Sequence, residues 1–283
     1  MTQLIENTLK TVQENFLQRE WCELNDTSLH TGNYQDKCQQ EYYLLKYFPA
    51  YLAEYYDMYS ELFKIYAKDS INILSIGCGA GIDYYALNEI EGKPEVKYCG
   101  VDLIDWQYKP NSPNFSFEQL DISQLNNSHF DNIDLIVLPK ILTELSDEEV
   151  RDLAIKIVNA NLSNELYFLN SYITDDSSDS SRIDGITKFE IICNKLIENN
   201  FSIVGENSCN RYTYFEVHAG IRKYIPSFVY PNDIKDFFYN LKSNCTELDD
   251  SVNDCNQCRI GEYPMMNSKY IAYNVIKFVK NDN

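Results

Sequence analysis

The chain has 283 residues, of which 44% are hydrophobic, 24% charged and 14% aromatic. This length is enough for one large domain with a sizeable core. With 10 glycines and 8 prolines, the composition excludes collagen-like and wholly disordered chains. No apolar run approaches the roughly 18 residues that a membrane helix needs, so we expect no membrane-spanning segment.

The chain is strongly acidic, with 43 Asp and Glu residues against 24 Lys and Arg residues and a formal net charge of −19. An acidic protein repels phosphate backbones at long range, so nucleic acid is a disfavoured partner, whereas cationic or neutral small molecules are compatible. Residues 1–6 have neither the basic nor the apolar segment of a signal peptide, and the nine cysteines are scattered. We therefore expect a reducing, cytoplasmic location. The sequence leaves the oligomeric state open.

Residues 1–70 are predicted to form a helical N-terminal cap. Apolar residues recur at helical spacing from Leu4, and a second helical region starts near residue 37 and is expected to break near Pro49. This second region is rich in tyrosine. A half-buried helix face with hydroxyls at its rim is the simpler interpretation of the tyrosines, and a pocket wall is the alternative.

From residue 71 the pattern changes to short apolar runs that alternate with helical stretches, which is typical of a βαβ sheet. The predicted strands are residues 71–76, 96–101, 115–120, 135–138, 166–173 and 201–204. Helices are predicted after residue 81, after Ser146 and over residues 188–199. Ser146 and Glu149 have the spacing of a capping box, which favours a helix start at this point.

Two further segments complete the predicted organisation. The Asp- and Ser-rich residues 175–181 are predicted to form a solvated loop, with a substrate flap as the alternative. Residues 207–268 are interpreted as a cysteine-bearing insertion. Residues 269–283 then carry the final core strand, predicted over 270–279.

The most informative stretch is the glycine turn, residues 77–81, which follows the first predicted strand. Gly77, Gly79 and Gly81 occupy alternate positions, and a helix is predicted directly afterwards. Glycine allows a tight turn and a close approach of a ligand to the backbone, and the amino end of the helix adds a positive dipole. The spacing differs from the G-x-G-x-x-G of nicotinamide enzymes, and no Walker lysine follows.

Two acids end the next two predicted strands. Asp102 lies 21 residues after Gly81, where a carboxylate can bind both hydroxyls of a ribose. Asp121 ends the third strand in the same way. In order and spacing, the glycine turn, these acids and the apolar fourth strand resemble the class I S-adenosylmethionine-dependent methyltransferases, and the resemblance covers residues 71–206.

The resemblance implies a Rossmann-like α/β core with a mostly parallel sheet and an antiparallel last strand, and it implies S-adenosyl-L-methionine as the cofactor. In that family pattern the glycines lie under the methionine and ribose, Asp102 binds the ribose hydroxyls, and Asp121 and Ile122 contact the adenine. Residues 138–140 border the methyl-transfer site. The implied cofactor contacts are Ser75, Gly77, Cys78, Gly79, Gly81, Asp102, Leu103, Asp121, Ile122, Leu138, Pro139 and Lys140. Ser75 departs from the pattern, because the family usually has an acid there.

The leading functional hypothesis is in-line methyl transfer to a small-molecule acceptor, a reaction that needs no metal and often no covalent residue. Residues 138–141 lack the Asp/Asn-Pro-Pro-aromatic signature of the DNA enzymes that methylate amino groups. Together with the acidic charge, this argues against base methylation. Two alternatives stay open: a methyltransferase of protein or ribosomal RNA, and a non-catalytic binding module with the same fold.

A candidate general base lies in the predicted insertion. Residues 212–218 alternate like a strand, which would place Glu216 and His218 on one polar and aromatic face. Either side chain is a candidate base at a substrate wall. The alternative is an exposed sheet face with no role in catalysis.

The same insertion carries a candidate metal site. Cys255 and Cys258 form a C-x-x-C pair, and Cys245 precedes them by ten residues. Three thiolates at short range are a candidate partial zinc site, which Cys209 or Cys22 would complete. A redox pair and unpaired buried thiols are the alternatives.

Overall fold

The structure is a computed structural model that describes residues 2–18, 34–173, 179–205, 213–214, 232–241, 245 and 271–281. The helices are α1 (Thr2–Phe16), α2 (Lys37–Phe63), α3 (Ile82–Asn88), α4 (Asp147–Val158), α5 (Asp179–Glu198) and α6 (Asn232–Leu241). The strands are β1 (Ser70–Ile76), β2 (Glu95–Asp102), β3 (Phe115–Gln119), β4 (Leu135–Pro139), β5 (Glu165–Ile173), β6 (Phe201–Ile203), β7 (Thr213–Tyr214) and β8 (Ile271–Lys280).

The strands form one sheet in the order β3-β2-β1-β4-β5-β8-β6, and the short β7 pairs with β8. Strands β1 to β5 are parallel to one another, whereas β8 runs antiparallel to β5. The predicted Rossmann-like α/β fold with an antiparallel last strand is therefore confirmed. The chain passes outward from β1 to β3 and then returns to β4 on the other side of β1. In such open sheets, ligands bind at the carboxyl ends of the strands where the order reverses.

Two apolar cores cover the two faces of the sheet. The central strand β4 supplies both, because Leu135 and Val137 point into one core while Ile136 and Leu138 point into the other, and all four are fully buried. Strands that are buried on both faces have continuous apolar sequences, and β4 is such a strand. Helices α1, α2, α3 and α6 pack on the first face, and α4 and α5 pack on the second.

The tyrosine-rich helix α2 continues through Pro49, so the predicted break there is wrong. A proline within a helix removes one backbone hydrogen bond and costs about 3 kcal/mol. Here the helix is buried on both sides of the proline, and Phe48, Ala50 and Leu52 have no exposed surface. Burial of apolar surface on this scale outweighs the cost of the proline. The sequence pattern cannot show this, because the packing partners come from other elements.

Helix α5 begins at Asp179, well before the predicted start at residue 188, so residues 179–181 are helical and do not belong to a loop. Residues 174–178 lie outside the described residues. Gly185 weakened the helical signal in the sequence. In the structure, a Cβ at Gly185 would lie 2.6 Å from Cδ1 of Tyr172, so this glycine allows the helix to approach β5 closely.

The described part of the predicted insertion contributes to the first core. The ring centroid of Phe237 in α6 lies 6.0 Å from that of Phe16, and the Phe238 centroid lies 6.1 Å from that of Tyr42. Helix α6 thus packs against the N-terminal helices. Among the described helices, none combines the length and the apolar character that crossing a bilayer requires.

The capping box at the start of α4 is confirmed and supports a stability prediction. The Glu149 amide donates to Ser146 Oγ at 3.3 Å, and the Ser146 amide donates to the Glu149 carboxylate at 2.7 Å. We expect Ser146→Ala to lower the free energy of unfolding by about 1 kcal/mol, because one amide loses its acceptor. Urea unfolding followed by circular dichroism measures this difference.

Ser60→Ala is the matched control for this substitution. The Ser60 hydroxyl donates to the Tyr56 carbonyl within α2, and alanine has the higher helix propensity. We expect Ser60→Ala to leave stability unchanged or slightly raised. Equal losses for the two variants would contradict the assignment of Ser146 as the cap.

Candidate active site

A cavity of about 570 Å³ lies at the carboxyl ends of β1, β2, β3 and β4, beneath helix α2. Its size falls within the range of small-molecule sites. One end is formed by the glycine turn, the end of β2 and the segment after β3. The other end is formed by residues 139–141, which follow β4, and by Tyr51 and Tyr55 of α2. The cavity therefore sits where the strand order reverses.

The glycine turn has a backbone shape that other residues rarely adopt. Gly77 and Gly79 have φ values of +73° and +57°. A Cβ at Gly77 would lie 2.9 Å from Cβ of Ile141, so the turn and the segment after β4 are in close contact. Backbone amides of Gly77 and Cys78 donate to the Val101 carbonyl at 2.8 and 3.2 Å. The turn is thereby held against the end of β2, with its open side toward the cavity.

Asp102 joins the glycine turn to the end of β2 from the cavity side. Its Oδ2 accepts a hydrogen bond from the Gly79 amide at 2.8 Å, and its Oδ1 accepts one from the Ile104 amide at 2.9 Å. Burial raises the pKa of this carboxyl, and the two amides oppose that rise. Because each carboxylate oxygen has further lone pairs, Asp102 retains acceptor capacity for ligand hydroxyls in the cavity.

Asp121 lies at the far side of the same end of the cavity. Its carboxylate caps the 3₁₀ turn Ile122–Gln124 by accepting from the Ser123 amide at 2.8 Å. The hydrogen bonds from Ser123 lower the pKa of Asp121. Leu103 lies at the rim, with 57% of its surface exposed. This end of the cavity thus has a carboxylate on each side and apolar residues at its edge.

Nine of the twelve predicted cofactor residues line this cavity: Gly77, Cys78, Gly79, Asp102, Leu103, Asp121, Ile122, Pro139 and Lys140. Ser75 and Leu138 are fully buried behind the cavity wall. Gly81 forms the N-cap of α3, where a Cβ would lie 2.9 Å from Cδ of Pro110. These three positions shape the cavity without lining it.

Asp83 supplies a buried carboxylate beside Ser75. Ser75 occupies the position where the family that the sequence resembles usually has an acid. Asp83 is 1% exposed, and its carboxylate accepts hydrogen bonds from Ser75 Oγ at 2.9 Å and from the Tyr98 hydroxyl at 2.8 Å. The Tyr59 hydroxyl of α2 is a third donor, at 3.5 Å. Burial raises the pKa of Asp83 to about 6, and the hydrogen bonds from Tyr98 and Ser75 oppose this rise. Acids are common in the first turn of any helix, so the sequence carried no specific signal for this role.

Lys140 and Glu54 form a buried ion pair at the other end of the cavity. Lys140 follows β4 with a φ of +64°, which is rare for a residue with a side chain. Its Nζ lies 2.9 and 2.8 Å from the two Glu54 oxygens, and it donates to the Tyr55 hydroxyl at 3.0 Å. Burial lowers the pKa of Lys140 and raises that of Glu54, and each partner opposes the shift of the other. Glu54 sits in a tyrosine-rich helix, and nothing in the sequence linked it to residue 140.

Three of the seven α2 tyrosines line the cavity, so the pocket-wall interpretation holds for part of the set. Tyr43, Tyr51 and Tyr55 contribute to it, together with Tyr34 and Trp106. Burial raises the pKa of Tyr34 to about 12 and raises the pKa values of Tyr43, Tyr51 and Tyr55 as well. These hydroxyls therefore stay protonated at neutral pH, where they offer hydrogen bonds and ring faces but no phenolate base.

The candidate base and most of the candidate metal ligands lie outside the described residues, namely Glu216, His218, Cys255 and Cys258. Cys245 is described as a half-buried free thiol. In the parts of the chain that the structure describes, no group of three His, Cys, Asp or Glu residues is arranged to hold a metal ion.

Two buried cysteines of the core differ in their state. Cys78 in the glycine turn is a buried free thiol. Cys193 of α5 is engaged in a disulfide, which the expectation of a reducing location did not anticipate.

The buried carboxyl of Asp83 gives a pH prediction. A folded-state pKa of about 6 against an ordinary value of 3.8 means that the folded protein binds this proton more tightly. Stability from this group is therefore present below about pH 4 and lost as the pH rises to about 6. We compare the free energies of unfolding of the parent and of Asp83→Asn, measured with urea. The advantage of the parent is expected to fall by up to about 3 kcal/mol from pH 4 to pH 7.

The exposed carboxylate variant Asp69→Asn is the control for this measurement. The stability difference between the parent and Asp69→Asn is expected to stay nearly constant over the same pH range. A stability difference between the parent and Asp83→Asn that does not change with pH would contradict the raised pKa of Asp83.

The Lys140–Glu54 pair gives a second prediction. Removal of one partner leaves a buried charge without compensation, so we expect Lys140→Met to cost about 3–5 kcal/mol of stability. The double variant Lys140→Met/Glu54→Gln should recover most of this loss, because neither charge remains. A double-mutant cycle by urea unfolding measures the coupling.

Lys64→Met is the surface control for the cycle. Lys64 pairs with Glu61 on the exposed side of α2, and exposed pairs contribute about 0–1 kcal/mol. Additive effects of the Lys140 and Glu54 substitutions would contradict a coupled buried pair.

No protein-family model and no curated protein matches the chain. Among solved structures, the plantazolicin methyltransferase BpumL in complex with SAH and a triazolic desmethylPZN analog is 16% identical, with 96% of this chain and 99% of that chain covered and a TM-score of 0.48. The N-methyltransferase NodS from Bradyrhizobium japonicum WM9 is 14% identical, with 81% and 95% covered and a TM-score of 0.44.

The (4+2)-cyclase SpnF is also similar, with 13% identity, 82% of this chain and 81% of that chain covered, and a TM-score of 0.44. Structural similarity at this level of identity and TM-score does not indicate an activity. The strand order and the antiparallel β8 are those of the Rossmann-like α/β fold that the sequence resemblance predicted.

Proposed function

We propose that this protein is an S-adenosylmethionine-dependent methyltransferase that acts on a small-molecule acceptor. The observation that carries the proposal is the direct hydrogen bond between the Gly79 amide and the Asp102 carboxylate at one end of the cavity. This bond places an open glycine backbone and a carboxylate acceptor side by side. The lysine-bearing segment after β4 borders the same cavity.

The residues at the nucleoside end fit the proposed cofactor. The glycine turn allows close approach, because Gly77 and Gly79 line the cavity with backbone and carry no side chain. Asp102 retains lone pairs toward the cavity, which suit the two hydroxyls of a ribose. Ile122 and Leu103 offer apolar surface beside Asp121 for an adenine ring. When bound, S-adenosylmethionine supplies an activated methyl group on a sulfonium.

The chain contributes positioning and exclusion of water at the other end of the cavity. The rings of Tyr51 and Tyr55 close this end from α2, and Lys140 fills the space between them and β4. Alignment of two reactants in a site from which water is excluded supplies most of the rate in displacements of this kind. The proposal therefore requires no covalent residue from the protein.

The charges in the cavity favour a small molecule over RNA as the acceptor. Four acids line the cavity: Asp102, Asp121, Glu144 and Glu149. Lys140 is the one basic residue among the described lining, and Glu54 neutralises it. A phosphate backbone gains affinity from several basic contacts, which this lining does not provide.

Isothermal titration with S-adenosylmethionine and its demethylated product tests the proposed cofactor. We expect Asp102→Asn to weaken binding by about tenfold to a hundredfold, because charge-assisted hydrogen bonds of this kind contribute about 1.5–3 kcal/mol. Asp105→Asn is the matched control, since Asp105 lies on the same segment, is exposed and does not line the cavity. It removes the same charge.

Absence of binding at millimolar ligand would refute the cofactor assignment. Equal affinities of Asp102→Asn and Asp105→Asn would refute the role of Asp102. Binding without turnover on a broad panel of amines, alcohols, thiols and carboxylates would favour the non-catalytic binding module instead.

A further inference from the structure

Three aromatic rings meet at the wall of the cavity beside the glycine turn. The centroids of Tyr34 and Tyr43 lie 5.2 Å apart, and each lies 5.3 Å from that of Trp106. A Cβ at Gly79 would lie 3.8 Å from the Trp106 ring, so this ring stands directly next to the turn. All three side chains line the cavity. The rings thus form one continuous aromatic surface.

The aromatic surface is held in place by one buried glutamine. Gln40 of α2 donates through Nε2 to the Tyr34 carbonyl at 2.7 Å and accepts at Oε1 from the Gln107 amide at 3.0 Å. The first bond fixes the segment that carries Tyr34, and the second fixes the residue after Trp106. Gln40 is 2% exposed, so these bonds are shielded from water. A site whose walls are fixed before binding loses less entropy when a ligand binds.

A carboxylate completes this part of the cavity. Glu144 lies in the segment after β4 and lines the same cavity as the three rings. Burial raises the pKa values of Tyr34 and Tyr43, and the negative charge of Glu144 adds to both rises. Burial and then the charge of Asp102 raise the pKa of Glu144. Asp102 also lines this cavity, so two carboxylates and three aromatic rings contribute to its wall. Ring faces carry negative quadrupole potential, so every group here favours a positive charge.

The other end of the same cavity holds the same kinds of group around a cation of the protein itself. The Lys140 ammonium lies 3.9 Å from the ring centroid of Tyr51 and 4.5 Å from that of Tyr55, and the Glu54 carboxylate neutralises it. An ammonium against two tyrosine rings and one carboxylate is thus already part of the folded structure. Tyr34, Tyr43, Trp106 and Glu144 offer the same kinds of group, aromatic rings and one carboxylate, along the lining of the cavity.

We propose that Tyr34, Tyr43, Trp106 and Glu144 form a cation cage that binds the ammonium group of the acceptor substrate. The inference rests on the proposed function, which it deepens by naming the chemical class of the acceptor. The cofactor contacts proposed above come from the strand ends. The cage is built by Tyr34 before α2, by Tyr43 of α2 and by the segments after β2 and β4. The cage selects against anionic acceptors through Glu144 and against neutral acceptors through the loss of cation–π attraction.

Ligand-observed NMR titration of the full chain, saturated with the demethylated product of the cofactor, tests the cage. The probes are choline and 3,3-dimethylbutan-1-ol, which has the same shape with carbon in place of the cationic nitrogen. We expect choline to bind at least about tenfold more tightly than the neutral probe. Equal affinities would overturn the cage.

Glu144→Gln separates the charge from the shape of the cage. We expect it to weaken choline binding at least about fivefold and to leave binding of the neutral probe unchanged. Glu148→Gln is the matched control, because Glu148 is exposed, lies four residues further along and does not line the cavity. Choline affinity that is equal in Glu144→Gln and the parent would overturn the role of Glu144. Thermal unfolding of both variants checks that the fold is retained.

Repeating the titration without the demethylated product identifies the occupant. Choline binding in both states supports an acceptor site. Choline binding that disappears when the product is present would assign the cage to the cofactor and overturn the proposal. Failure of the demethylated product to bind would refute the proposed function. The cage would still be tested in that case, because the affinities of choline and the neutral probe can be compared on the free protein.

Discussion

The carboxylate of Asp102 accepts a hydrogen bond from the Gly79 amide, and this contact connects the glycine turn to the end of β2. The turn is in contact with Ile141 on its other side, so the ends of β1, β2 and β4 share one edge of the cavity. Parallel strands bring their carboxyl ends together. The hydrogen bond then determines which backbone atoms and which carboxylate face the cavity.

Two buried carboxylates support this arrangement from behind. Asp83 joins Ser75 of β1 to Tyr98 of β2 and approaches Tyr59 of α2. Glu54 joins α2 to Lys140 after β4. Burial of a charge without a partner is costly, so each carboxylate favours one relative position of the elements that it connects. The helical cap and the sheet are thereby held in register around the cavity.

Several parts of the site were predictable from local sequence. The glycine turn needs residues that tolerate positive φ, and the strand-end acids follow from chain order. The capping box at Ser146 was predictable for the same reason, since all of its partners lie within four residues. The Asp83 network, the Lys140–Glu54 pair and the course of α2 through Pro49 were not. Each depends on residues from elements far apart in sequence.

The sequence by itself determined the alternation of strands and helices, the glycine turn and the acidic character of the chain, because these depend on neighbouring residues and on composition. Tertiary structure alone decided which carboxylate accepts the hydrogen bond from Ser75 and which one neutralises Lys140. It also decided which of the α2 tyrosines line the cavity. Those outcomes are set by burial and by distances between side chains. Such distances exist only once the sheet has brought distant segments together.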